Sequence, residues 1–133
     1  MSLNQKVGYV FGAVYVLVGL LGFVVTGFEG FAEPEGGLLL GIFEVNPLHN
    51  LVHIAIGAAL AGAAAAGATA SRSANMAVGV VYLLLGVLGF FIAEDSPVNL
   101  LALNTADHLL HLATGAVLAG VGAYERSPAT RRV

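Results

Sequence analysis

The sequence predicts an all-α fold: a four-helix transmembrane bundle made of two duplicated helical hairpins, with both termini on the cytoplasmic side. Three observations carry that expectation. The 133 residues are 58% hydrophobic and 10% charged, with a mean hydropathy of +0.89, whereas soluble domains hold about 25% charged residues. The second half of the chain repeats the first. Asn46 to Gly62 and Asn104 to Gly120 align without a gap at 9 of 17 identical positions, and Tyr15 to Phe23 matches Tyr82 to Phe90 at 6 of 9. Repetition of this kind marks a duplicated structural unit. The third observation is a separation of basic from acidic residues along the chain.

Residues 7–28 and 73–93 contain no charged side chain, and each reaches the roughly 20 residues that cross a hydrocarbon layer about 30 Å thick. They are the first and third helices. The first has the flavour of a secretory signal, with Lys6 ahead of an apolar run. That run is longer than the ~7–15 residues of a signal core, and its pattern returns at residues 82–90, so it is read as a spanning helix. Residues 47–68 and 105–123 form the second and fourth helices, carrying histidines and one aspartate in an otherwise largely apolar run. Both open on a start signal, Asn46 before Pro47 and Asn104 before Thr105, since Asn caps helix N-termini well and Pro suits the first helical position. The whole chain, 1–133, reads as a single membrane domain: repeat 1 over about 7–68, repeat 2 over about 75–124, and a polar tail at 125–133. The polar run 68–75 is expected to be the tight turn between the repeats. The apolar stretches 38–43 and 98–103 are expected at the membrane interface, leading the chain into the next helix.

The basic residues Lys6, Arg72, Arg126, Arg131 and Arg132 fall on the N-terminus, the middle connection and the C-terminus, which share one side of the membrane. The acidic residues Glu29, Glu33, Glu35 and Glu44, then Glu94 and Asp95, fall in the two long loops. Basic residues mark the cytoplasmic side, which places both termini inside and both long loops outside. The net charge of −3 is therefore two segregated faces, and no basic patch exists for nucleic acid. With no cysteine in the chain, disulfides, thiolate metal sites and thiol chemistry are excluded.

Counted from their caps, His53 and His111 each lie seven residues into a helix, roughly 10 Å deep. At about 100° per residue, His49, His53, Gly57 and Ala64 share one stripe of the second helix, and Asp107, His111, Gly115 and Gly122 share the matching stripe of the fourth. Asn50 and His108 border those stripes. Gly8, Gly12, Tyr15, Gly19 and Gly22 fall within a narrow arc of the first helix, and Gly79, Tyr82, Gly86 and Gly89 of the third. Small residues let helices approach closely, so both sets of faces are expected inside the bundle. Ionisable residues within a membrane are costly and mark functional sites by default. On that reading His49, His53, Asp107, His108 and His111 are candidate ligands of one transition metal ion, and zinc, copper and iron all suit a His/carboxylate set. Two histidines at one depth also suit axial ligation of haem, although glycine-lined faces leave little room for a porphyrin. The alternative is structural: neutral histidines hydrogen-bonded to loop carbonyls, to Asp107 or to the hydroxyls of Tyr15 and Tyr82.

The run Leu39-Leu-Gly-Ile-Phe-Glu-Val-Asn-Pro-Leu-His-Asn-Leu-Val-His53, followed by Gly57, resembles the signature of a family of small bacterial four-helix membrane proteins catalogued as a domain of unknown function. Its core is Asn-Pro-x-x-Asn-x-x-His, and a degenerate copy extends the likeness over nearly the whole chain. The resemblance implies a multi-pass protein of the bacterial inner membrane, and it brings no catalytic residues with it.

The function these readings predict is a structural or binding component of the membrane rather than an enzyme, with a His/Asp cluster in the outer half of the bilayer. Its partners are expected to be the lipid bilayer and either further copies of itself or a larger membrane complex. Two other classes stay open: a redox subunit with bis-histidine haem, and a small transporter or proton pathway. Against the last, residues 61–68 and 116–123 at the cytoplasmic end are nearly all small and apolar.

Overall fold

Ser2 sets the start of the first helix. Its hydroxyl accepts from the Gln5 amide at 3.1 Å, and the Gln5 side chain accepts from the Ser2 amide at 3.0 Å. This reciprocal capping box satisfies two free donors, and helix α1 therefore runs over Leu3–Thr26, starting ahead of the uncharged stretch. In the computed structural model, which describes residues 1–124, α1 is followed by short strands β1, Gly37–Leu39, and β2, Phe43–Val45, and by helices α2, Pro47–Ala66, α3, Ala68–Gly89, and α4, Thr105–Tyr124. The tail at 125–133, with Arg126, Arg131 and Arg132, lies outside the described residues.

One connection differs from expectation. The turn between the repeats is a single residue, Gly67, at φ +130°, a backbone region that glycine enters without a Cβ penalty. Residues 68–75 accordingly belong to α3 rather than to a polar turn. The apolar stretch 38–43 folds into an antiparallel hairpin, pairing Leu39 with Phe43 and Gly37 with Val45, and it turns through Leu40 and Gly41, both at positive φ. The equivalent stretch 98–103 takes turns without pairing.

Helices α1 and α2 pack as one hairpin, and α3 and α4 as another. Close approach along glycine faces makes both. A Cβ added at Gly12 would meet the Gly57 carbonyl oxygen at 2.7 Å, and one added at Gly115 would meet the Gly79 carbonyl oxygen at 2.8 Å. These pairs correspond through the repeat, as do Tyr15 with Tyr82 and Leu60 with Leu118, the four buried residues of the apolar core.

Side chains are distributed opposite to a soluble bundle. The buried positions of α1 are Asn4, Gly8, Gly12, Tyr15, Gly19 and Gly22, while its large aliphatic residues face outward. The equivalent residues Leu17 and Leu84 are 56% and 57% exposed. Three helices, α1, α2 and α3, are long and apolar enough to cross a membrane. Helix α4 equals α2 in length, but Asp107, His108 and His111 lower its hydropathy, and all three are buried within the bundle.

Candidate functional site

The loop end of the bundle is built around two asparagines. Asn46 caps α2, its side-chain oxygen accepting from the His49 amide at 2.8 Å. Its side-chain amide donates to the carbonyls of Glu33, at 2.9 Å, and Leu100, at 2.7 Å. Asn104 caps α4 in the same way, accepting from the Asp107 amide at 3.0 Å and donating to the Ile42 carbonyl at 2.9 Å. Each cap is thus tied to the loop of the other repeat. Sequence reasoning assigned both residues to capping alone, because a capping pattern is local and the Leu100 and Ile42 acceptors lie more than fifty residues away.

One turn below the caps, three histidines converge. His49, His53 and His111 are buried, and each offers one ring nitrogen within 4.8 Å of the others. The Nε2 atoms of His49 and His53 are 3.0 Å apart, so one ring donates and the other accepts when no ion is bound. The ring centroids of His49 and His111 are 6.3 Å apart. A small cavity of about 90 Å³ touches all three rings and is otherwise walled mainly by aliphatic side chains and Tyr82. Each hairpin also packs its tyrosine on its own histidine, Tyr15 with His53 at 5.5 Å and Tyr82 with His111 at 4.9 Å.

The hydrogen bonds expected of purely structural histidines are made only in part. His49 Nδ1 and His111 Nδ1 are buried without a partner of full geometry, and the hydroxyls of Tyr15 and Tyr82 lie against each other rather than on a histidine. The His49 ring lies beside the backbone of Glu44 and Leu101, but without a bond of full geometry. Orphaned polar atoms in a buried site cost about 1–3 kcal/mol each; these are Nδ1 atoms, while His49 and His53 approach each other through Nε2.

The other two residues of the predicted set lie outside this trio. Asp107 occupies the repeat position of His49, yet its carboxylate accepts from the Asn104 amide at 2.9 Å. It completes a capping box instead of facing the histidines. His108 occupies the repeat position of Asn50. Its ring sits against Gly89, where a Cβ would collide with it, and meets Phe90 edge-on at 5.2 Å. It lines a separate, largely apolar cavity of about 270 Å³ with Leu85, Leu88 and the loop at 98–103. Asn50 in turn faces Gly22 and donates to the Thr26 hydroxyl at 3.0 Å.

The opposite end holds a polar group that sequence reasoning missed. Asn75 donates to the side-chain and backbone oxygens of Asn4 at 2.9 and 3.0 Å, and Ser71 donates to the Asn4 carbonyl at 2.7 Å. All three side chains are buried. The apolar residues of α2 and α4 at that end are as expected, and it is α1 and α3 that bring the polar ones. Ser71 stands at the repeat position of Asn4, a signal that was present but lay within a run read as a turn. The packed layer of Tyr15, Leu60, Tyr82 and Leu118 separates these amides from the histidines.

No curated protein and no solved structure matches the chain. Residues 5–124, from the first turn of α1 to the end of α4, match the family described as "Domain of unknown function (DUF4383)", and the chain belongs to that family.

Proposed function

We propose that this is an integral membrane protein whose His49, His53 and His111 hold one transition-metal ion. The observation that carries the reading is the convergence of three buried ring nitrogens on a small cavity whose other walls are mainly aliphatic. Imidazole is a good ligand for zinc, copper and iron. The cavity of about 90 Å³ suits an ion and is well below the roughly 300 Å³ at which pockets for larger ligands begin, which disfavours haem. The layer formed by Tyr15, Leu60, Tyr82 and Leu118 interrupts the polar groups along the bundle, which favours a holding site over a transport path.

The inverted packing, with aliphatic side chains outward and glycines inward, supports contact with lipid on every helix, α4 included, because its Asp107, His108 and His111 are turned inward. The charge pattern supports both termini in the cytoplasm, with the histidines in the outer half of a bacterial inner membrane. Elemental analysis of protein purified from its native membrane tests the metal reading. About one ion per chain is expected, lost in His53→Ala and His111→Ala and retained in His108→Ala. Folded wild-type protein without stoichiometric metal would leave the histidines a structural role only.

A further inference from the structure

What else shares the cavity decides the charge of the ion, an inference that rests on the metal reading above. A metal-bound imidazole is neutral, so the trio contributes no negative charge. Among the described residues, no Asp or Glu oxygen joins the three nitrogens. Asp107, the carboxylate nearest in sequence, is held by Asn104 instead. The rest of the wall includes Val52, Ile56, Val81, Leu85 and Leu101. An ion in this place keeps its full charge in an apolar surround. The cost of desolvation rises with the square of the charge, so a divalent ion pays about fourfold what a monovalent one does.

Coordination number points the same way. Zinc takes four ligands, and an open position is filled by water. Buried water needs two to four polar partners, which aliphatic walls do not offer, and the Tyr82 hydroxyl lies next to Tyr15 while its ring stacks on His111. A monovalent d¹⁰ ion is satisfied by two or three imidazoles in linear to trigonal geometry. Copper accepts imidazole ligands, and among the metals that do so it has a stable monovalent d¹⁰ state. We infer that the His49, His53 and His111 cluster is a site for Cu(I), held without a change of oxidation state.

The test uses the full chain, purified in detergent under nitrogen. Cu(I) is titrated against a chromophoric Cu(I) chelator, Ag(I) serves as a redox-inert monovalent probe, and Zn(II) is titrated separately. One equivalent of Cu(I) or Ag(I) per chain is expected, with Zn(II) bound about 100-fold more weakly. Zn(II) binding as tightly as Cu(I), and lost in His53→Gln, would overturn the charge inference and leave the metal site standing. Failure of all three ions to bind would overturn both. Leu101→Glu adds a carboxylate to a loop wall of the cavity. With helicity unchanged by circular dichroism, it should strengthen Zn(II) binding about tenfold relative to Cu(I), and an unchanged ratio would count against the inference.

Discussion

The side-chain amide of Asn46 donates to the Leu100 carbonyl at 2.7 Å, joining residues 54 apart in the chain. Asn104 makes the corresponding bond to Ile42, so the two loops and two helix starts brace each other above the histidines. His49 hangs directly on this brace, because its backbone amide is bonded to the Asn46 side chain. Asn46→Ala removes a cap, worth about 0.5–2 kcal/mol, and leaves two carbonyls without their donor. A loss of about 2–4 kcal/mol in detergent unfolding is expected. Asn46→Ser keeps the cap and loses the brace, so its stability should fall between wild type and Asn46→Ala. Full recovery with serine would show that the bonds to Glu33 and Leu100 carry no stability.

Glycine substitutions separate packed faces from open ones. A Cβ at Gly19 would lie 2.6 Å from the Asn50 carbonyl and from Ile54, and one at Gly86 would lie 2.6 Å from Leu112. Gly19→Leu and Gly86→Leu should each cost about 1–3 kcal/mol or more through overpacking. Nothing lies within 4 Å of a Cβ at Gly62 or Gly120. Alanine at either should be neutral or gain up to about 1 kcal/mol from helix propensity. Equal thermal shifts at all four positions would contradict the assigned faces.

Asp107 distinguishes a ligand from a cap. Its carboxylate bonds to the Asn104 amide and stays out of the histidine trio. Asp107→Ala is therefore expected to cost about 0.5–2 kcal/mol of stability while leaving metal stoichiometry unchanged. Loss of the ion in a folded Asp107→Ala protein would make the aspartate a ligand after all.

Topology follows from the charges. A reporter fused after Val133 should be active in the cytoplasm, and one inserted near Glu33 should report the outside. Reversing the result by moving basic residues from Lys6 and Arg72 into the loop around Glu33 would tie the orientation to charge. An external C-terminus in the native chain would overturn it.

The sequence by itself determined the number of helices, the correspondence of the two hairpins, the glycine faces and the equal depth of His53 and His111. These are local or periodic properties: the length of an apolar run, the angle per residue, and an offset read by aligning the chain with itself. Only the tertiary structure decided which polar residues meet. His49 and Asp107 hold the same repeat position, yet one side chain turns to a histidine cluster and the other to its own helix cap. Asn50 and His108 likewise diverge, and Asn4, Ser71 and Asn75 meet because α1 and α3 lie side by side. A helical wheel places a residue on a face. Whether that face supplies a ligand, a cap or a brace depends on which partner atoms the neighbouring helix and loop bring within about 3 Å, and those atoms come from distant parts of the chain.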